Sequence, residues 1–141
     1  MIIFTKIFLI FLGALFGAVL GIEREKLHKA AGVRTYGLVA LGSTLLTIIA
    51  RETGNGAIAA QIVTGIGFLG AGVIFLEHEK NTEKIHNLTT AAGMWVTAAI
   101  GIAVGYGEVE LALFVTVLAI VLLYLLRRFN LEAKLEGKNR N

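Results

Sequence analysis

The feature that most limits what this chain can become is where its charges are absent. Five stretches contain no Asp, Glu, Lys or Arg: 7–22, 35–50, 53–76, 87–107 and 111–126. A helix needs about 20 mostly apolar residues to span the hydrocarbon core of a bilayer, within a range of roughly 17–25. The third and fourth stretches meet that requirement outright. The first meets it if it starts near Ile2, with Lys6 at the interface, and the flanking Arg34 and Arg51 extend the second by snorkelling to the headgroups. The spacing therefore predicts an all-α, polytopic membrane protein with five transmembrane helices, at about 2–22, 35–51, 56–76, 87–105 and 109–126. A soluble fold would need a polar surface, yet only 16% of the residues are charged, against about 25% in a soluble domain.

One domain is expected over 1–128, followed by a short polar tail at 129–141. The first apolar stretch is longer than a signal-peptide core and lacks a small-residue cleavage site, so it reads as a retained helix. No cysteine is present, which excludes disulfides and thiolate metal sites. Orientation follows from Lys and Arg. Eleven of them fall between helices 1 and 2, between helices 3 and 4, or after helix 5, and only Lys6 and Arg51 fall on the other side. The N-terminus is thus expected outside and the C-terminus in the cytoplasm.

Glycine is the second unusual feature. Gly13, Gly17 and Gly21 recur every four residues in helix 1, and Gly93, Thr97, Gly101 and Gly105 do the same in helix 4. In lipid, where apolar helices gain little by leaving their solvent, such stripes let backbones approach closely. Trp95 lies too deep for the interfacial belt and is expected inside the bundle with its N–H bonded. Helix 3 carries TGIGFLGAG at 64–72, where Gly65, Gly67, Gly70 and Gly72 point to more than one face. Two readings stand: packing grooves, or a local break whose freed backbone groups line a cavity, with Gln61 and Thr64 as nearby partners.

With that topology the polar residues gather at the cytoplasmic ends: Glu23, Arg24, Arg34, Thr35, Gln61, Thr64, Asn87, Thr89 and Thr90. Glu23 with Arg34 is the preferred ion pair, since a carboxylate and a guanidinium make a bidentate fork. Arg24 is left to face lipid phosphate. The cluster reads either as a structural lock on the helix 1–2 turn or as a polar pocket for an ion, a headgroup or a partner. Asn87 suits the N-cap of helix 4. His28, His78 and His86 fit no metal-ligand spacing, and Glu77, Glu79 and Glu83 read as a solvated loop. There is no nucleophile–base arrangement, phosphate-cradling loop or redox motif, so no enzyme is expected. No cofactor is indicated, magnesium being the one candidate, and no nucleic-acid partner.

Three stretches, GIEREKLHKAAGVRTYGLVALGSTLL, IAAQIVTGIGFLGAGVIF and LTTAAGMWVTAAIGIAVG, resemble the MgtC/SapB family of bacterial and archaeal membrane proteins. The resemblance covers most of positions 21–105 and implies an inner-membrane protein tied to magnesium limitation. For the best-known members it further implies inhibition of the ATP synthase through its membrane sector. Glu23, Arg24, Gly32, Arg34, Thr35, Gln61, the four glycines of helix 3, Leu88, Thr89, Thr90, Ala91 and Trp95 are the positions it singles out. The chain departs from the family pattern at Ala57, where many members have arginine, and at Asn87, where many have glycine. The chain is expected to be of the short, membrane-only kind, without the cytosolic C-terminal domain of many members. The functions weighed are a regulatory protein that docks to other membrane helices, copies of itself included, and a cation transporter or channel, with magnesium as the ion. A lipid-binding role is third; membrane lipid is the one partner expected on any reading.

Overall fold

The computed structural model describes residues 2–75 and 87–128. Five helices follow one another: α1 (Ile3–Lys26), α2 (Val33–Thr53), α3 (Gly56–Phe75), α4 (Leu88–Tyr106) and α5 (Val109–Arg128). No strand occurs among the described residues. The first four helices are each long and apolar enough to cross a membrane; the apolar part of α5, Val109–Leu125, is shorter. Residues 76–86, which include His78, His86 and the acidic loop residues, lie outside the described residues, as does the tail at 129–141.

Turn chemistry sets the helix ends. α2 stops at Gly54 and α4 at Gly107, both in the left-handed conformation with φ of 65° and 93°. Glycine adopts this without a Cβ clash, and it closes the orphan carbonyls of the last turn. After Gly107 the chain returns at once, with the Glu108 N–H bonding the Ala103 carbonyl at 2.9 Å. α1 runs one turn past its apolar stretch, so Glu23 and Arg24 remain helical.

The core is a three-helix sandwich with α2 in the middle. A Cβ added at Gly21 would come within 2.6 Å of the Val33 Cα, and Gly13 and Gly17 face Thr44, Tyr36 and Ala40 just as closely. From the other side, a Cβ at Gly101 would lie 2.5 Å from the Ala40 carbonyl oxygen, and one at Gly105 2.5 Å from the Thr47 Cβ. Gly93 faces the Tyr36 hydroxyl. Both glycine stripes therefore grip α2, whose buried face is Tyr36, Ala40, Ser43, Thr44 and Thr47. The Thr44 hydroxyl donates to the Ala40 carbonyl at 2.8 Å and lies 3.0 Å from that of Gly101, which satisfies a polar group within the membrane core. α3 packs on α4 and α2, and α5 on α4 and α1. At the end opposite Glu23, Lys6 pairs with Glu52, and Arg51 donates to the Tyr106 carbonyl at 3.0 Å.

α3 is unbroken through 64–72. The break foreseen as one reading of TGIGFLGAG does not occur. Nor do the glycines serve as grooves among the described residues. A Cβ at Gly70 would lie 3.6 Å from the Ala91 Cβ, but among the described residues one at Gly65, Gly67 or Gly72 would meet nothing within 4 Å.

Candidate functional site

The polar residues of the α1 end, the α2 start and the α4 start do share one end of the bundle, but their pairing differs from the sequence reading. Arg24 is 4% exposed. Its side chain turns into the bundle, where Nη2 donates to Thr90 Oγ1 at 2.8 Å. Tyr36 donates its hydroxyl to the Thr90 carbonyl at 3.2 Å. Thr90, itself fully buried, thus ties the first turn of α4 to both α1 and α2. Glu23 lies 3.6 Å from Arg24 Nη1 and forms no ion pair with Arg34 among the described residues. Arg34 is exposed. The geometry explains the change: Arg24 finds a buried acceptor 66 residues away, and Glu23 stays with its neighbour.

Two groups in this cluster carry unmet bonding capacity: Arg24 Nε and Glu23 Oε2 are buried without a hydrogen-bond partner. Glu25, not among the sequence-derived site residues, accepts from the Val33 N–H through Oε2 at 2.8 Å and so closes the N-terminus of α2. An acid lying eight residues before a helix start was the signal available for it. Tyr36 was equally legible only as part of GVRTYG. Thr35 is half-buried beside this group, and Thr89 is exposed on the first turn of α4.

Two further expectations are corrected. Asn87 occupies the N-cap position of α4, but in the left-handed conformation, and its side chain makes no cap hydrogen bond. Its Nδ2 reaches back to the Val73 carbonyl of α3 at 3.5 Å. Trp95 is 50% exposed rather than enclosed. The buried face of α4 runs through Thr90, Met94, Thr97, Gly101 and Val104. At 100° per residue, Trp95 falls on its flank. There it borders a small apolar cleft of about 30 Å³ with Val63, Ile66, Ala98, Ala99 and Ile102.

Gln61 and Thr64 do not join the polar cluster. Both are exposed on α3, on the side away from Ala59, Ile66 and Gly70. Gln61, Gly65, Phe68, Gly72 and Phe75 follow one another at steps of four and three, which places them along one helix face. Phe68 is 82% exposed and Phe75 70%. Among the described residues no group of three or more His, Cys, Asp or Glu is arranged to hold a metal ion.

The MgtC family model matches residues 10–131. The chain is similar to Protein MgtC of Salmonella typhimurium strain LT2, at 39% identity over 148 residues, covering 99% of this chain and 62% of that protein. It is also similar to YhiD of Escherichia coli K12, whose name makes it a candidate magnesium transporter, at 36% identity, covering 91% of this chain and 62% of that protein. An uncharacterized protein of Haemophilus influenzae is 41% identical over 86% of this chain and 54% of its own length. The chain thus spans between 54% and 62% of the length of these relatives. No solved structure matches.

Proposed function

The chain belongs to the MgtC family, and from that premise we propose that it is a regulatory protein linked to magnesium limitation, acting through contacts with other membrane helices. It is a multi-pass inner-membrane protein. The observation that carries the proposal is the outward face of α3. This face combines bare glycines, which allow close backbone approach, with an amide and a hydroxyl at Gln61 and Thr64. A polar side chain facing hydrocarbon gains by hydrogen-bonding across to another helix, by about 1 kcal/mol. The membrane sector of the ATP synthase is the partner that the family resemblance implies.

The orientation and domain limits belong to the same proposal: N-terminus outside, a bundle over 1–128, and the Glu23–Arg24–Thr90 cluster on the cytoplasmic side. The chain has no cysteine, so a single cysteine introduced at Lys29 reports its side directly by labelling in intact cells.

A photo-crosslinking residue placed at Phe68 in native membranes tests the function, with Phe11 of α1, 65% exposed, as the control. Crosslinks to another membrane protein are expected from position 68 and not from position 11. Crosslinks to lipid alone from both positions, together with magnesium flux into liposomes holding only this protein, would replace regulation by transport, the activity named for YhiD.

A further inference from the structure

The outward faces of α1 and α2 each end in a cation. On α1, Phe8, Phe11, Leu15, Val19 and Ile22 are exposed and follow one another at steps of three and four, so they form one stripe facing the lipid. Lys26, four residues on, continues that stripe and is exposed. On α2, Leu38, Leu45 and Ile49 form the corresponding stripe. Arg34, exposed and four residues before Leu38, heads it. Lys26 thus lies about 6 Å beyond Ile22 along its helix, and Arg34 about 6 Å beyond Leu38 along the other. That distance carries both charges from the hydrocarbon into the headgroup layer.

The two stripes run side by side. A Cβ added at Gly37 would lie 3.7 Å from that of Ala18 and 3.6 Å from the Ala14 carbonyl oxygen, so the flanks of α1 and α2 meet there. Ile22 and Leu38 border this seam, and at 100° per residue both stripes open on the same side of it. The connection is short and fixed. His28 takes a left-handed φ of 51°, and the Lys29 N–H bonds the Arg24 carbonyl at 3.1 Å. Lys29, also exposed, sits in the turn that joins the stripes. The acids here have other duties: Glu25 accepts from the Val33 N–H, and Glu23 lies beside the buried Arg24.

We propose that the α1–α2 seam binds an anionic phospholipid. Its phosphate lies among Lys26, Lys29 and Arg34, and one acyl chain follows the seam past Ile22 and Leu38. Charge selects the headgroup, because each cation at this level favours an anionic lipid by about fivefold, less the opposing effect of Glu25. Position selects a lipid over a water-soluble acidic partner, because Lys26 and Arg34 prolong faces that already look into the hydrocarbon. The site goes beyond the regulatory reading and needs neither the α3 face nor its partner.

The test uses the full chain in phosphatidylcholine vesicles. The natural sequence has no cysteine, so Leu38→Cys gives a single site for a bimane fluorophore. Quenching is followed as phosphatidylglycerol or phosphatidylcholine with brominated acyl chains is added. Half-quenching at position 38 should need about one-tenth as much of the brominated phosphatidylglycerol. The same label at Phe11→Cys, on the α1 stripe about 16 Å from Ile22, should respond equally to both lipids. Lys26→Gln, Lys29→Gln and Arg34→Gln together change only exposed side chains and should bring the two curves at position 38 together. If that triple variant does not fold, the comparison of positions 38 and 11 still decides. Equal quenching by the two lipids at position 38, the same preference at position 11, or a preference kept in the triple variant would overturn the proposal. So would a preference abolished by inorganic phosphate at matched ionic strength, which would make a free anion the ligand.

Discussion

In α1 and α4 every glycine of the four-residue stripes has α2 pressed against it, at distances where a methyl group does not fit. In α3, three of the four glycines of 64–72 have nothing within reach among the described residues. Burial follows the same division: 44% of the most apolar window of α4 lies inside the bundle, against 17% for α3. One residue type thus serves two surfaces. The first set is an internal joint already closed by this chain. The second is a joint with one half present. What separates them is not the glycine spacing but whether a helix of small and β-branched residues runs alongside.

The sharpest way to break this contrast is to add bulk to each set. Gly101→Leu drives a side chain into the Ala40 carbonyl and Ser43, and should destabilise the chain by about 3 kcal/mol in detergent melting. A variant that melts like the natural chain would refute the sandwich. Next in size is Arg24→Ala, which strands the half-buried Glu23 and frees Thr90, at a cost of about 3 kcal/mol or somewhat less. Arg34→Ala, at an exposed side chain, should fall within about 0.5 kcal/mol. Equal losses from the two arginines would restore the Glu23–Arg34 pair in place of the observed one. Gly65→Ala should stabilise the chain slightly, by less than about 1 kcal/mol, since helix propensity improves and no described residue is displaced. A marked loss would mean that Gly65 is already packed. The smallest effect is spectroscopic. Trp95 is the single tryptophan, so its fluorescence should be quenched strongly by brominated acyl chains. Weak quenching would place the indole inside, as its depth in the sequence suggests.

Much of the architecture was legible beforehand, because charge-free runs and four-residue glycine periods state both the number of helices and which faces are narrow. The family was legible from GIGFLGAG and LTTAA together. Contacts that depend on azimuth were not. The depth of Trp95 follows from counting residues, but whether it faces lipid or protein depends on where α3 and α2 lie around α4. The same gap explains the open glycines of α3: a period describes a face and leaves its neighbour unnamed. The Glu23–Arg34 pairing failed for a related reason, since a long arginine side chain chooses among acceptors across the fold, and Thr90 was the nearer buried one. Asn87 failed through its backbone, whose φ of 67° swings the side chain toward α3.

The double grip on Ala40 has a mechanical corollary. Gly17 meets the Ala40 methyl from one side and Gly101 meets its carbonyl from the other. A slide of α2 by one residue, about 1.5 Å, would force bulkier atoms into both notches at once. α1, α2 and α4 therefore move as a single post, and any rocking, tilting or rearrangement of this chain within the bilayer falls to the two outer staves, α3 and α5.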